Sequence, residues 1–291
     1  MQLIQEFISY IETEKRYSQH TLIAYQKDLT QFTDEFDIDD LKQLQEVTNK
    51  HLRNYTVELM DQGLENSSIN RKISCLKSFF KYLKKLDYIQ KNPAHLLKSL
   101  KTKKRLPQFV PESQLWSKDI FEVEKNEKDQ IEIELIFELF YQTGIRLSEL
   151  INLKRSKITS NQIKVLGKRN KERLIPITPK LSQLINNHTN SLGEKQLNSD
   201  LLFSDKNGKI RNPKFVYKKV NYYLGLATDL KKRSPHVLRH TFATHMLNNG
   251  ASIESIKTLL GHTDLAATQV YTHNSFKQLK SVYNQSHPRG T

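Results

Sequence analysis

Residues 234–273 read SPHVLRHTFATHMLNNGASIESIKTLLGHTDLAATQVYTH and hold five of the chain's ten histidines. Ser234, followed directly by a proline, is a helix start signal, and Gly250 ends the apolar pattern that follows it. A second pattern with helical spacing begins at Ser252 and ends at Gly261. The segment therefore predicts two consecutive helices in a domain that is built mainly from helices.

The first of these helices places two anion-binding side chains near its N-terminus. His236 and Arg239 share one face, where the partial positive charge of the helix end also favours an anion. His262 follows the end of the second helix directly, and Tyr271 comes nine residues later. Side chains of these types can neutralise a phosphate, supply a nucleophile and move protons. The pattern indicates a site that binds an anion.

Several separated motifs occur in the chain: TGIRLSEL (143–150), GKRNKER (167–173), HVLRHTFATH (236–245), LLGHTD (259–264) and TQVYTH (268–273). In this order they resemble the motifs of the tyrosine recombinases, and they are most similar to the bacterial Xer type. The likeness covers nearly the whole chain. It implies a mainly α fold with a small β-sheet, in which a helical SAM-like core-binding domain and a catalytic domain form a C-shaped clamp around DNA.

The resemblance implies a catalytic set of six residues: Arg146, Lys168, His236, Arg239, His262 and Tyr271. Tyr271 would attack the scissile phosphate and leave a 3′-phosphotyrosine and a free 5′-hydroxyl. His236 would accept the tyrosine proton, and Lys168, at the tip of a hairpin, would protonate the leaving oxygen. The two arginines and His262 would hold the phosphate oxygens. Because the linkage conserves the energy of the broken bond, the resemblance implies neither ATP nor Mg²⁺ nor any other cofactor.

A metal site is the alternative for this histidine-rich segment. His236 and His240 lie four residues apart, a spacing that suits zinc ligands on one helix face. Val237 stands where a zinc-protease motif has glutamate, and no cysteine or carboxylate partner accompanies the pair. The sequence therefore predicts no metal site, and we interpret His240 and His245 as structural residues.

Two further positions near the motifs have alternatives. Glu149 could support Arg146, but an exposed carboxylate on a helix is the interpretation that the sequence favours. Arg169 follows Lys168 where the family commonly has glycine, so a turn with positive φ there would be strained by about 1 kcal/mol. This departure concerns the conformation of the hairpin more than the role of its lysine.

The net charge is +15, and its distribution points to a polyanionic partner. Residues 1–65 hold six Lys and Arg against thirteen Asp and Glu, whereas residues 66–106 hold twelve against one. A solvated charged face is the alternative to a surface that follows phosphates. The predicted DNA contacts are the basic residues Arg71, Lys72, Lys77, Lys81, Lys103, Lys104, Arg105, Arg169 and Lys171.

Apolar periodicity and chain breakers divide the sequence into domains. Residues 1–92 are predicted as a helical DNA-binding domain, 93–109 as a basic linker and 110–291 as the catalytic domain. Residues 162–177 alternate around a tight turn and give the clearest hairpin signal, and 201–203 could add a short strand.

The last predicted helix carries Phe276, Leu279 and Tyr283 on one face. From its residues alone, this helix packs on its own domain; the resemblance implies a tail that docks into a neighbouring protomer. The resemblance also implies duplex DNA with inverted half-sites as partner. It further implies a tetramer, formed by this chain alone or with a related recombinase, and an activating DNA translocase linked to cell division.

Cys75 is the only cysteine, so no intrachain disulfide forms. Acidic residues interrupt the apolar residues at the N-terminus, unlike in a signal peptide, and no apolar run approaches the length of a membrane span. We expect a cytoplasmic, nucleoid-associated protein that does not enter a membrane.

The sequence predicts a site-specific recombinase that resolves chromosome or plasmid dimers at cell division. A mobile-element integrase is the alternative within the family, but because the chain begins with the core-binding helices, we expect the dimer-resolving role. Two alternatives come from other classes, a catalytically silent DNA-binding protein and a type IB topoisomerase. The full catalytic set argues against the first, and plasmid relaxation without exchange of partners would indicate the second.

Overall fold

The computed structural model describes residues 2–102, 108–115, 120–124, 126–167, 172–261 and 273–290. It divides into two compact units, Met1–Arg105 and Leu106–Thr291. The helices of the first unit are α1 (Gln2–Thr13), α2 (Gln19–Glu35), α3 (Leu41–Glu46), α4 (Asn49–Asp61) and α5 (Asn66–Lys85). Those of the second unit are α6 (Glu112–Leu115), α7 (Glu127–Thr143), α8 (Leu147–Ile151), α9 (Pro179–Ser191), α10 (Glu194–Leu197), α11 (Pro213–Ala227), α12 (Pro235–Asn248), α13 (Ile253–Leu260) and α14 (His273–Ser286). The mainly helical architecture is confirmed.

The small sheet of the described residues is one antiparallel pair, β1 (Gln162–Leu166) and β2 (Glu172–Pro176). Ile163 pairs with Ile175, and both are buried, so the predicted hairpin is confirmed. Leu201 forms only an isolated bridge, so the possible strand at 201–203 does not form. Within the described ranges, no helix has both the length and the apolar character needed to cross a membrane.

The helices of the first unit enclose one core. The side chains that α5 buries there recur at spacings of three and four: Ile69, Ile73, Leu76, Phe80 and Leu83. Phe32 of α2 meets Tyr55 of α4 and Phe80 edge to face, with ring centroids 5.5 and 6.2 Å apart. Because this apolar stripe occupies one side of α5, the polar side of the helix stays at the surface.

The polar side of α5 carries three of the predicted DNA contacts. Arg71 and Lys81 are exposed, and Lys77 is partly exposed. Lys72 requires a correction, because its side chain is buried and its Nζ donates to Asp28 Oδ1 at 3.0 Å. A buried ammonium that is already paired cannot move to a phosphate without leaving a buried carboxylate behind. We therefore remove Lys72 from the DNA contacts.

The segment that follows α5 packs on the first unit. Ala94 and Leu97 are buried in the first core. Asn70 donates from Nδ2 to Leu100 O at 2.9 Å and accepts from Leu100 N at 2.7 Å. The predicted linker, 93–109, therefore begins later along the chain than the sequence indicates, because its first residues belong to the helical unit.

Helix α7 crosses the core of the second unit and is buried on nearly all sides. α9 and α12 pack against it. Its apolar residues face several sides, and buried Glu132, Glu138 and Gln142 lie among them, with Glu132 and Gln142 hydrogen-bonded to Arg211 and Thr178. It ends at Gly144 in the left-handed conformation, with φ 56° and ψ 24°. The end of α7 thereby fixes where the following residues, including Arg146, leave the core.

Helix α14 packs on the domain to which it belongs. Leu279 and Tyr283 are buried in the second core, in agreement with their spacing. Asn249, at the end of α12, donates from Nδ2 to Ser286 O at 2.9 Å. Exchange of this helix between protomers would require it to leave that core, and such an exchange stays a prediction.

His287, which follows α14, is buried in the neutral form. Its Nε2 donates to Tyr141 O at 3.2 Å, and its Nδ1 accepts from Arg289 N at 3.0 Å. Its ring stacks on Tyr283, with the centroids 5.0 Å apart. Burial lowers the pKa of His287 to about 3, because a second proton would place an uncompensated charge in the core.

We expect mild acid to destabilise the second unit through His287. Its pKa is 6.5 in the unfolded chain and about 3 in the folded one, so only the unfolded chain gains a proton between these values. The free energy of unfolding should therefore fall by about 1.4 kcal/mol per pH unit below pH 6.5. Urea unfolding of wild type and His287→Phe between pH 7 and pH 5, followed by circular dichroism, checks this. The variant should lose stability less steeply, and equal slopes would contradict the prediction.

Candidate active site

Gly144 sets the position of the first arginine of the site. Its positive φ of 56° is a conformation that favours glycine. A Cβ there would lie 2.6 Å from Leu260 and 2.7 Å from Phe242, so the close approach of α12 and α13 also requires glycine. Arg146, two residues later, takes the N-cap position of α8, and its side chain is 31 % exposed.

The first turns of α12 carry His236 and Arg239. The His236 side chain is exposed, whereas Arg239 is buried and donates from one terminal nitrogen to Leu260 O at 2.8 Å and from the other to Gly144 O. Ser234 takes the predicted N-cap position, but its hydroxyl is buried without a hydrogen-bond partner among the described residues. The position of the cap is therefore confirmed, and its side-chain hydrogen bond is not.

Three arginines converge on the carbonyl end of α13. Arg173 Nε donates to Leu259 O at 2.8 Å. One terminal nitrogen of Arg239 donates to Leu260 O at 2.8 Å, and one of Arg146 lies 3.4 Å from Gly261 O. The last carbonyls of a helix lack partners within the helix and carry partial negative charge, so they attract guanidinium groups. One helix end thus fixes the direction of three cations.

Arg146, Arg239 and His236 border a cavity of about 160 Å³. The residues that line it are Ile145, Arg146, Leu147, Tyr217, Pro235, His236 and Arg239. Burial, followed by the neighbouring charges of Arg146 and Arg173, lowers the pKa of Arg239, as expected where cations crowd together. Two forked guanidinium groups and an imidazole beside one small cavity suit a phosphate group, since each fork can donate to two phosphate oxygens.

Glu149 is not the exposed carboxylate that the sequence favours. It is buried and accepts hydrogen bonds from Arg146 N at 2.8 Å and from an Arg146 terminal nitrogen at 2.7 Å. Both terminal nitrogens of Arg173 donate to it as well, at 2.9 and 2.8 Å. Burial by itself raises the pKa of Glu149, but the two arginines outweigh burial and hold that pKa at about 2. Glu149 is therefore a charged support for Arg146.

Two residues at the site receive no role from the sequence motifs, although one of them, Arg173, is the last residue of GKRNKER (167–173). Arg173 is buried on β2 on the same side as Ile175, and the strand's period-two alternation was the available signal for an inward-facing arginine. Tyr217 lies on α11 and lines the cavity with its side chain 44 % exposed. No spacing in the sequence connects Tyr217 to Arg146, because the two meet only through the packing of α11 and α8.

The structure brings three of the predicted catalytic residues together: Arg146, His236 and Arg239. The other three lie outside the described residues: Lys168, His262 and Tyr271. So do five of the predicted DNA contacts: Lys103, Lys104, Arg105, Arg169 and Lys171.

The remaining histidines of this segment have structural surroundings. His245 is buried, and its Nδ1 lies 3.0 Å from Tyr141 Oη, in agreement with its interpretation as a structural residue. His240 is partly exposed on α12. In the part of the chain that the structure describes, no three His, Cys, Asp or Glu residues are grouped so that they could hold a metal ion.

Comparison with known proteins identifies the family. The model of the phage integrase family matches residues 112–278, and that of the phage integrase N-terminal SAM-like domain matches residues 4–86. The chain belongs to the phage integrase family. Its members are tyrosine recombinases, which cut and rejoin DNA by strand exchange. The recombinase is 38 % identical over 294 residues to tyrosine recombinase XerC of Staphylococcus aureus (strain JH9), over 99 % of this chain and 98 % of the relative.

Solved recombinase structures share the fold of this chain. The XerH site-specific recombinase in a post-cleavage complex with a palindromic difH substrate has a TM-score of 0.70 at 20 % identity, over 96 % of this chain and 83 % of XerH. A lambda integrase dimer bound to a COC′ core site has a TM-score of 0.68 at 17 % identity, over 90 % of this chain and 94 % of the integrase. The recombinase therefore combines an N-terminal SAM-like domain with a C-terminal catalytic domain, as its motifs imply.

We expect His236 to be neutral at pH 7. Although the side chain is exposed, partial desolvation against the protein comes first, then the charges of Arg239, Lys232 and Arg146; together they lower its pKa from the ordinary 6.5. Removal of one of these charges should raise that pKa, because repulsion of the imidazolium is then weaker. A proton NMR titration of the imidazole in wild type and in Lys232→Gln measures both effects. A wild-type midpoint at or above 6.5, or a downward shift in the variant, would be inconsistent with the arrangement.

Proposed function

We propose that this recombinase resolves joined chromosome or plasmid copies at cell division, using Tyr271 as its nucleophile. The observation that carries the site assignment is the cavity at which Arg146, Arg239 and His236 meet. The full-length similarity to a XerC recombinase supports the dimer-resolving role over other roles within the family. Because its substrate is chromosomal DNA, the protein acts in the cytoplasm at the nucleoid.

Arg146 and Arg239 hold the scissile phosphate through its non-bridging oxygens. Their orientation comes from the carbonyl end of α13 and, for Arg146, from Glu149. Donors that are already oriented cost no reorganisation when charge builds up on the pentacoordinate phosphorus, so they stabilise the transition state more than the ground state. His262, directly after α13, adds a further donor.

Tyr271 attacks the phosphorus, and its phenolic proton passes to His236. A tyrosine hydroxyl has a pKa of about 10, so it needs a base or nearby positive charge. His236 is a suitable acceptor, because its lowered pKa keeps the imidazole neutral. The bond between phosphorus and the 5′ oxygen breaks, and Lys168 gives that oxygen a proton. A 5′-hydroxyl of the exchanged strand reverses these steps, so neither ATP nor a metal ion is required.

The recombinase acts as a tetramer on two duplexes, each with inverted half-sites. Neighbouring structures include a lambda integrase tetramer bound to a Holliday junction, with a TM-score of 0.69. The tetramer holds this chain alone or together with a related recombinase, and a DNA translocase linked to division activates it. The DNA contacts comprise Arg71, Lys77, Lys81, Lys103, Lys104, Arg105, Arg169 and Lys171.

Replacement of either cavity arginine by lysine should impair cleavage more than binding. Lysine keeps the charge but lacks the fork of donors, so Arg146→Lys and Arg239→Lys should each lower the cleavage rate by about 100-fold. Single-turnover trapping on nicked DNA measures cleavage, and filter binding measures affinity. Arg155→Lys is the matched control, because Arg155 also donates to backbone carbonyls, those of Leu197 and Ser199, but does not line the cavity.

The proposed function is tested by trapping the covalent intermediate on host genomic DNA. The DNA is nicked at random beforehand. Where a nick lies close to the cleavage site, the short piece that carries the free 5′-hydroxyl diffuses away, so the protein cannot rejoin the strand. Wild type and Tyr271→Phe are incubated with this DNA and denatured in detergent, and the DNA that stays attached to protein is sequenced. We expect DNA from wild type alone, concentrated at one locus near the replication terminus. Equal recovery from both proteins would exclude Tyr271, and a locus at the end of a mobile element would favour an integrase.

A further inference from the structure

Arg173 lies where three segments of the proposed site meet. It is the second residue of β2, the strand that leads out of the hairpin carrying Lys168. Its side chain is only 4 % exposed. It contacts α8 through Glu149, and it contacts the last turn of α13, after which the chain continues to His262 and Tyr271. Among the described residues of the hairpin, Arg173 is the one whose side chain contacts both α13 and Glu149, the carboxylate that supports Arg146.

The guanidinium of Arg173 uses donors on all three of its nitrogens. Nε donates to Leu259 O at 2.8 Å, and the two terminal nitrogens donate to the two Glu149 oxygens at 2.9 and 2.8 Å. The same carboxylate oxygens accept from the backbone and side chain of Arg146, at 2.8 and 2.7 Å. Glu149 therefore lies between two arginines. A shift of Arg173 would move the Glu149 carboxylate, and that carboxylate orients Arg146.

The end of α13 leaves no free space beside Arg173. A Cβ at Gly261 would lie 3.0 Å from Arg173 Cδ and 3.1 Å from one of its terminal nitrogens. Gly261 also has a positive φ of 65°, so the backbone conformation and the tight contact with Arg173 both favour glycine there. The guanidinium lies between the helix end and Glu149, and hydrogen bonds on both sides hold it there.

We propose that Arg173 is a positioning residue that couples the lysine hairpin to the first arginine of the site and to the segment that delivers the nucleophile. It touches no DNA itself. It sets the orientation of the Arg146 guanidinium through Glu149. Through its hydrogen bond to Leu259 O, it also fixes the C-terminal end of α13 against β2. This inference rests on the proposed function, because the hairpin, the start of α8 and the chain after α13 carry the proposed catalytic residues.

A second buried pair in the same domain separates this role from plain structural stabilisation. Arg211 donates from Nε to Glu132 Oε1 at 2.9 Å and from a terminal nitrogen to both Glu132 oxygens at 2.6 and 2.5 Å. The pair is largely buried, and neither residue lines the cavity. Loss of Arg211 removes the same kind of ion pair and the same charge as loss of Arg173, without touching α8, β2 or α13.

The test compares Arg173→Met with Arg211→Met on nicked host genomic DNA. We expect Arg173→Met to form covalent complexes about 10- to 100-fold more slowly than wild type. In this variant the Arg146 guanidinium would be misoriented and would lose contacts to the phosphate oxygens in the transition state. Arg211→Met should cleave at nearly the wild-type rate. Affinity for DNA should be similar in the two variants. If Arg173→Met does not fold, Arg173→Lys replaces it, since lysine keeps the charge and should fold yet still cleave slowly.

A double-mutant cycle with Glu149→Gln tests the route of the effect. If Arg173 acts through Glu149, the double variant Arg173→Met/Glu149→Gln should cleave no more slowly than the slower single variant. The cleavage rate of Arg173→Met should also fall more steeply than that of wild type as the pH decreases from 7 to 5. Glu149 would then be protonated more easily, having lost the partner that does most to keep it charged.

Two results would overturn the inference. One is a cleavage rate of Arg173→Met equal to that of Arg211→Met; the other is a loss in the double variant equal to the product of the single losses. Failure of the proposed function looks different, because wild type and Arg211→Met would then form no covalent complex that depends on Tyr271. Such a result would overturn the inference as well.

Discussion

Helix α13 ends in three carbonyl groups that its own backbone cannot satisfy, and three arginines satisfy them. Leu259, Leu260 and Gly261 accept from Arg173, Arg239 and Arg146. Guanidinium groups repel one another, so such a cluster forms only where negative charge is supplied. The helix end and the buried carboxylate of Glu149 supply it. The rest of the catalytic domain can be understood as the packing that holds this helix end in place.

The buried helix α7 provides that packing. Its end at Gly144 allows Leu260 and Phe242 to approach to a distance that no other residue type would permit. The backbone of Arg146 is thereby fixed against α12 and α13 before any ligand arrives. Since Arg239 also donates to Gly144 O, the same glycine accepts a hydrogen bond from one arginine of the cavity and precedes the other by two residues. Preorganisation of the proposed phosphate site is in this sense a property of the core.

The sequence predicts local structure here far better than it predicts partners. The start of α12 after Ser234, the end of α13 at Gly261 and the hairpin follow from capping, periodicity and turn chemistry. The sequence predicts Lys72 at the surface as one of the basic residues of 66–106, and it favours Glu149 as an exposed carboxylate on a helix. Both are buried because a counter-charge arrives from elsewhere in the chain: Asp28 for Lys72 and Arg173 for Glu149. Long-range pairs of this kind leave no trace in local spacing.

The central claim is that the cavity between Arg146, Arg239 and His236 is where Tyr271 joins DNA. The most direct measurement identifies the tyrosine that carries the nucleotide. Covalent complexes are digested with nuclease and trypsin, and the peptides are sequenced by mass spectrometry. Two tyrosines compete for the assignment, and each is alone in its tryptic peptide, Tyr271 in residues 258–277 and Tyr217 in residues 215–218. A phosphonucleotide on Tyr271 is the predicted result, and one on Tyr217, which lines the same cavity, would contradict the account.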